Sequence, residues 1–259
     1  MSVHEVDCLL ESMNSVLELL DELDAPDWQL QSLCPAWEVR QVVAHLDGIE
    51  EALSGWRPAG DAPAPFEVVG KVFDEVDDWS PLQLRSRLRA VLANRRNELL
   101  AADTSLFDEV SWTPVGVQTY GRFMAIRNFD FWVHEQDIRV PLGRPGHTSG
   151  PAAELALDEV RRSFGYIVGK RAAIPDGSSV LVELHGPIEG RFGAVVDGRA
   201  RLMDDLDNAD ATVRTDSLTF MLLACGRIDP ETYLANGEVE LRGNKELAGQ
   251  LARNLRFTM

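Results

Sequence analysis

The sequence predicts an α+β protein of two domains, in which a bundle of four long helices precedes a smaller α+β domain. Segments with apolar residues at every third or fourth position fill the first half of the chain, as in amphipathic helices. Segments that alternate apolar and polar residues, as in strands, begin only after Gly177. With 259 residues, the chain is also longer than the roughly 150 residues of an average domain.

The four predicted helices each carry one apolar stripe that a bundle would bury. They cover residues 6–23, 35–56, 80–99 and 120–140. Pro35 and Pro81 are suited to the first turn of the second and third helices, and Pro141 and Gly143 end the fourth. The stretch from Trp56 to Pro65 is rich in Pro and Gly, which indicates a connecting loop or a lid.

The second domain is predicted to contain a small antiparallel sheet covered on one face by helices. A helical segment at 150–172 leads to Pro175 and Gly177, and we place the boundary between 1–174 and 175–259. Four strand candidates follow, at 178–186, 192–202, 209–215 and 237–243. Helical spacing returns at 216–226 and 244–255, where Asp216 and Asn244 occupy capping positions.

Composition excludes several classes of function. A net charge of −17 would repel a phosphate backbone, so no nucleic-acid partner is expected. No apolar run approaches the roughly 20 residues of a membrane span, and the acidic N-terminus lacks the features of an export signal. We therefore expect no membrane partner and a cytoplasmic location. The three cysteines suggest neither a disulfide framework nor a Cys-x-x-Cys metal site.

The most informative residues are Asp130, His134 and Asp137, spaced by four and three positions on the fourth helix. Residues at these spacings share a helical face, about 6 Å apart along the axis for a separation of four. A carboxylate and an imidazole so placed can ligate one metal ion, and His45 on the second helix can supply a third ligand. Asp137 would then orient a ligand ring or act as a general base.

A structural role for these residues stays open on spacing alone. A single histidine on an apolar helix face is more often a hydrogen-bonded core residue than a ligand. Asp130 can equally cap a helix or pair with Arg127, three residues earlier. Two further interpretations concern neighbouring residues: Trp132 lines a pocket wall or only packs, and Cys34 caps the start of the second helix.

Two segments around these residues resemble the mycothiol-dependent maleylpyruvate isomerase family, a group of DinB-like metal-binding bundles. CPAWEVRQVVAHLDG is similar to its Cys-Pro-x-Trp-x(7)-His-Leu signature, and RNFDFWVHEQDIRVPLGRP to its Arg-x-x-Glu-x-x-x-His-x-x-Asp-Ile signature followed by Leu-Gly-x-Pro. ADATVRT, Gly226-Arg227 and GEVELRGNKELAGQLAR are similar to the less specific motifs of the family's sterol-carrier-like C-terminal domain. The resemblance therefore spans nearly the whole chain.

The resemblance implies zinc or another divalent metal held by His45, Asp130 and His134, with mycothiol as cosubstrate. Asp130 stands where the family usually has Glu, which leaves the identity of the metal open. Asp137 matches the family's Asp and is a candidate catalytic residue. The family also places arginines near the substrate carboxylates; candidates here are Arg85, Arg201 and Arg214.

The expected activity is attack of a metal-bound thiolate on an electrophilic substrate, as in maleylpyruvate isomerisation. A thiol S-transferase for detoxification would use the same ligands and begin with the same step. A non-catalytic protein that holds an apolar ligand is an alternative of a different class, and a zinc-containing regulatory module ranks last. The partners are then a small thiol and an electrophile, with the chain as a monomer or homodimer.

Overall fold

The computed structural model describes residues 3–204 and 206–258 and divides into two compact units. The first comprises Met1–His147 and Pro151–Ala156, and the second comprises Thr148–Gly150 and Leu157–Met259. Every helix among the described residues is too short or too polar to cross a membrane.

The first unit is helical, with a small two-stranded ribbon. Its helices are α1 His4–Asp21, α2 Val39–Leu53, α3 Glu67–Glu75, α4 Pro81–Ala101 and α5 Tyr120–Arg139, followed by the start of α6 Pro151–Arg162. The antiparallel ribbon pairs β1 Val110–Ser111 with β2 Gln118–Thr119. The four long helices predicted from the apolar periodicity are confirmed as α1, α2, α4 and α5.

Helix α5 is the central element of the bundle because it packs against both α1 and α2. Residues all around α5 are buried, including polar ones such as Asn128 and Gln136. Asn128 accepts a hydrogen bond from Ser12 on α1 over 2.9 Å. The polar groups of a buried helix must find partners inside the protein, so α5 is where functional side chains can be held rigidly.

Contacts between side chains define the directions of the helices. Pairs such as Glu50–Arg127 and His45–Asp130 show that α2 and α5 run in opposite directions. Helices α2 and α4 run the same way, because Asp47 contacts Arg87 whereas Glu50, further along α2, contacts Arg95, further along α4. Because α2 and α4 run the same way, the chain has to return from the end of α2 to the start of α4. The returning segment contains α3, a helix that the apolar periodicity did not predict.

Helix α3 packs closely on α2 at Gly48. A Cβ atom added at Gly48 would lie 2.9 Å from the Val69 Cα, which is closer than real contacts allow. The short α3 is held by this approach, and it brings Val69 and Phe66 towards α5.

Helix α2 begins at Val39, about one turn later than the start predicted at Pro35. Residues 34–37 form a turn in which the Trp37 amide donates to the Cys34 carbonyl over 3.0 Å. Glu38, with Gln41, then caps the helix. Cys34 therefore does not have the predicted capping role, and its thiol donates to Asp137 instead.

The second unit contains a five-stranded sheet with helices. Its strands are β3 Ser179–His185, β4 Gly190–Asp197, β5 Arg199–Met203, β6 Ala211–Asp216 and β7 Glu240–Gly243, in the order β5-β4-β3-β6-β7. Its helices are the end of α6, α7 Phe164–Tyr166, α8 Ser217–Ala224, α9 Pro230–Ala235 and α10 Lys245–Arg253, and a π-helical turn covers Ile167–Arg171. Asp216 and Asn244 cap α8 and α10 as predicted.

The sheet is mixed, and not wholly antiparallel as predicted. Strand β3 pairs antiparallel with β4 but parallel with β6, with Val180 opposite Ala211. After the β3–β4–β5 meander the chain crosses to the free edge of β3, so β6 enters in the same direction as β3. The predicted α+β class, a helical bundle followed by a smaller α+β unit, is confirmed.

The compact units divide the chain between 147 and 157, earlier than the boundary predicted at 174/175. The segment after α6 packs on the sheet of the second unit, where the rings of Phe164 and Phe192 meet edge to face at 5.0 Å. Its helical spacing made this segment look like part of the bundle, although its apolar face covers strands.

Candidate metal centre

Helix α5 supplies two of the three predicted metal ligands. Asp130 and His134 are one turn apart on the face that α5 turns towards α2, and His45 projects from α2. His45 Nε2 lies 3.4 Å from Asp130 Oδ2, and His134 Nε2 lies 3.7 Å from Asp130 Oδ1. One ligand atom from each residue lies within 4.8 Å of the others. The structure thus brings together the three residues that the sequence singled out.

His45 has a ring nitrogen that fits a metal ion. Its Nε2 is buried, and its contact with Asp130 Oδ2 at 3.4 Å is too long or too bent for a well-formed hydrogen bond. Burial lowers the pKa of the His45 imidazole, and the nearby Asp130 carboxylate only partly offsets this effect. A buried imidazole nitrogen without a well-formed hydrogen bond is costly unless that nitrogen binds something. With His134 Nε2 and the Asp130 carboxylate, His45 Nε2 completes the donor set of an open zinc site, so the residues present fit a divalent cation.

Asp137 lies behind His134 and is fully buried. His134 Nδ1 is 2.9 Å from Asp137 Oδ2, and the Cys34 thiol donates to the same oxygen over 3.0 Å. A carboxylate on Nδ1 fixes the ring orientation and leaves Nε2 as the ligand atom. Of the two roles predicted for Asp137, the geometry favours the orienting one.

Asp130 is also part of a chain of ion pairs. Arg127 Nη1 lies 2.7 Å from Asp130 Oδ2, and Arg127 Nε lies 2.9 Å from Glu50 Oε1. Glu50 pairs in turn with the buried Arg95 at 3.0 Å. Burial by itself raises the pKa of the Asp130 carboxyl, but Arg127 and the two histidines hold this pKa well below its ordinary value. Asp130 is therefore ionised, as a metal ligand would have to be. Its pairing with Arg127, the alternative weighed from the sequence, exists alongside the geometry of the candidate metal site.

Trp37 forms one wall of the site. Its ring centroid is 5.0 Å from that of His45 and 5.8 Å from that of His134. The sequence patterns indicated only a capping role for Cys34 and no functional role for Trp37, although both lie in the CPAW segment and the structure places both beside the candidate ligand histidines. Trp132, the tryptophan considered for the wall, instead donates from Nε1 to the His147 carbonyl over 2.7 Å.

The three arginines considered for substrate binding are occupied elsewhere or lie in the second unit. Arg85 is 3.5 Å from Asp21 at the end of α1. Arg214 pairs with Glu240 at 2.9 Å, and Arg201 is an exposed residue of β5. Within the first unit, the arginine beside the metal group is Arg127.

A cavity of about 340 Å³ borders the metal group through Asp130. Its lining comes from α2, α3, α5 and the loop between β1 and β2. The lining residues are Ile49, Phe66, Val69, Trp112, Pro114, Phe123, Ile126, Arg127 and Asp130. A space of this volume accommodates a small organic molecule.

Comparison with known families assigns both parts of the chain. The model of the mycothiol maleylpyruvate isomerase N-terminal domain matches residues 9–139, and the model of the MDMPI C-terminal domain matches residues 154–250. The chain belongs to the mycothiol-dependent maleylpyruvate isomerase family. Membership in this family accounts for both parts of the chain, and the first match contains all three candidate ligands.

Solved structures agree with this family assignment at the level of the fold. The crystal structure of the mycothiol-dependent maleylpyruvate isomerase aligns at a TM-score of 0.61 and 15% identity, covering 93% of this chain and 95% of that chain. A mutant of the same isomerase aligns at a TM-score of 0.62 and 15% identity, and it covers the same 93% of this chain and 95% of its own. A ubiquinone synthesis protein, UbiJ-SCP2, covers 38% of this chain and 94% of its own at a TM-score of 0.31. Comparison with curated proteins found no significant match.

Proposed function

We propose that this family member is a metal- and thiol-dependent enzyme of the maleylpyruvate isomerase type. His45, Asp130 and His134 would hold a divalent cation, and mycothiol would be the thiol cosubstrate. The observation that carries the proposal is the convergence of these three groups, one ligand atom of each within 4.8 Å of the others, with His45 Nε2 buried and lacking a well-formed hydrogen bond among the described residues. Zinc fits the two nitrogens and one oxygen best.

A bound cation would supply the positive charge that keeps a thiol ionised at neutral pH, where its ordinary pKa of about 8.5 leaves little thiolate. The protein's own residues prepare this site. Asp137 holds the His134 ring through Nδ1, and Arg127 holds one oxygen of Asp130. The Trp37 ring packs beside the two histidine rings, with its centroid 5.0 Å from that of His45 and 5.8 Å from that of His134. Fixed ligands spare the reaction the cost of assembling the site.

The substrate would meet the thiolate sulfur through an electrophilic double bond. A sulfur–carbon bond forms while the π electron pair moves to the neighbouring carbon, and the former double bond can then rotate. If the pair returns and the sulfur–carbon bond breaks, the product is the trans isomer and the thiol is regenerated. If the carbon instead takes up a proton, the thiol stays attached and the enzyme is an S-transferase. The cavity beside Asp130 is where the electrophile would lie.

Cobalt substitution tests the thiol role directly. We expect the cobalt-loaded protein to develop a sulfur-to-metal charge-transfer band when mycothiol is added. The His45→Ala variant should not show the band, whereas His185→Ala, altered on β3 of the second unit, should show it in full. A cobalt-loaded wild-type protein whose spectrum does not respond to thiol would exclude this function. Separation of isomer and conjugate by chromatography then distinguishes isomerase from transferase.

A further inference from the structure

The cavity that borders Asp130 differs from a site for a dicarboxylate. We propose that it selects an uncharged, largely apolar electrophile over a dianionic one. The inference that the bound electrophile reacts rests on the proposed function. The preference of the cavity for uncharged over dianionic ligands follows from its lining alone. The lining residues other than Arg127 and Asp130 are apolar or aromatic, and they come from α2, α3, α5 and the β1–β2 loop.

A dicarboxylate needs cations or hydrogen-bond donors for both of its charged groups. Among the described residues that line the cavity, Arg127 is the sole cation. Its Nη1 and Nε are already paired with Asp130 and Glu50, and its Nη2 is buried without a hydrogen-bond partner among the described residues. Arg127 therefore has only its Nη2 left to donate to a ligand oxygen, and its charge is already paired with two carboxylates. The Trp112 indole can donate a hydrogen bond but carries no charge, so a second carboxylate of the ligand would stay uncompensated.

The charge balance of the site leads to the same conclusion. Arg95 and Arg127 are already paired with three carboxylates, those of Glu50, Asp130 and Glu98. A divalent cation would in turn be balanced by the thiolate together with the Asp137 carboxylate behind His134. A neutral electrophile preserves this balance. A dianion would bring two uncompensated charges into a largely apolar space, at a cost that lowers its affinity.

The aromatic side chains indicate the shape of the ligand. Phe66 and Trp112 have ring centroids 5.5 Å apart, and Trp112 meets Phe123 edge to face at 6.1 Å. Three rings around one cavity offer faces and edges on which a flat apolar group can pack. The ligand class is therefore an electrophile that carries an aromatic or similarly bulky apolar group.

The test uses two unreactive ligands with one carbon skeleton, phenylsuccinate and its dimethyl ester. Binding is measured by calorimetry on the metal-free full-length protein, so that neither a metal ion nor a reaction contributes. We expect the neutral ester to bind at least about tenfold more tightly than the dicarboxylate. Equal affinity, or tighter binding of the dicarboxylate, would overturn the proposal.

Variants locate the ligand in this cavity. Ile126→Lys and Val69→Lys each add a cation to the lining, one on α5 and one on α3, so either can serve if the other fails to fold. Each variant should bind the ester about tenfold or more weakly than the wild type does, and should bind the dicarboxylate more tightly. Leu82→Lys, at a position 63% exposed on α4, is the control and should change neither affinity. If both cavity variants behave like this control, the ligand binds elsewhere and the proposal fails.

Turnover separates this inference from the proposed function. Diethyl maleate and maleylpyruvate are compared on the metal-loaded enzyme with mycothiol, each as acceleration over its uncatalysed thiol reaction. Greater acceleration of maleylpyruvate would refute the selectivity but uphold the thiol-dependent function. Selective binding of the ester with no turnover of either compound would uphold the selectivity and refute the function.

Discussion

Arg127 and Asp130, one turn apart on α5, form an ion pair in which Arg127 Nη1 lies 2.7 Å from Asp130 Oδ2. The pair fixes the carboxylate so that Oδ1 faces His134 Nε2 at 3.7 Å. Arg127 is itself fixed by the fully buried Glu50. The shorter side chain of Asp130, compared with the Glu usual in the family, is thus held in place by a buried cation.

Replacing Asp130 should separate the need for its charge from the need for its length. Asp130→Asn removes the negative ligand and should weaken zinc binding by more than about 100-fold. The loss is expected to be this large because replacing a residue that only supports a ligand already costs about 10- to 100-fold in affinity. Asp130→Glu restores the family's residue and should retain zinc, with rearrangement of the Arg127 pair. A competition titration against a chromophoric chelator measures both. Wild-type affinity in Asp130→Asn would remove Asp130 from the ligand set.

Asp137 should affect metal affinity through the His134 ring. Asp137→Asn keeps the shape but loses the charge that accepts from Nδ1, so zinc affinity should fall by about 10- to 100-fold. Cys34→Ser keeps a donor to Asp137 and should bind zinc nearly as well as the wild type. The same chelator titration applies. An unchanged affinity in Asp137→Asn would mean that this contact does not support the metal site.

Glu50 should be important for stability because it balances two buried arginines, Arg95 and Arg127. Glu50→Gln leaves both cations without their shared anion, and we expect the free energy of unfolding to fall by about 3–5 kcal/mol. Urea denaturation followed by circular dichroism measures the change. Arg89→Ala, which breaks an exposed pair with Asp21, is the matched control and should cost no more than about 1 kcal/mol. Similar losses in the two variants would argue against a special role for the buried network.

His147 should make stability depend on pH. Its Nδ1 is 2.6 Å from Glu135 Oε2; burial by itself lowers the pKa of His147, but the hydrogen bond and charge of Glu135 raise this pKa above its ordinary value of 6.5. A raised pKa means that the stabilisation is complete below pH 6.5 and is lost as pH rises through the folded-state pKa.

The comparison is between wild type and His147→Gln, each unfolded in urea at several pH values. The stability advantage of the wild type should be greatest below pH 6.5 and should shrink over the range above pH 6.5, as the pH rises through the raised folded-state pKa of His147. An advantage that stays constant over this range, or grows with pH, would show that protonated His147 does not stabilise the fold.

Several features of the fold and site could be predicted from local patterns. A helix buries one face, so apolar residues at every third or fourth position were enough to predict α1, α2, α4 and α5. The same periodicity placed Asp130 and His134 on one face, and the two signature segments pointed to His45 as their partner. The predictions of the helices and of the face shared by Asp130 and His134 succeeded because helical geometry relates nearby residues in a fixed way. The role of His45 as a metal ligand stays a prediction.

The tertiary structure alone decided the rest. Helix α3 depends on its contact with α2 at Gly48, and the parallel pairing of β3 with β6 depends on where the chain returns to the sheet. Cys34 meets Asp137 although 103 positions separate them. The cavity is likewise assembled from distant segments. The periodicity of a sequence records which side of an element is buried, but not which distant side chain buries it; that choice is made when the elements pack.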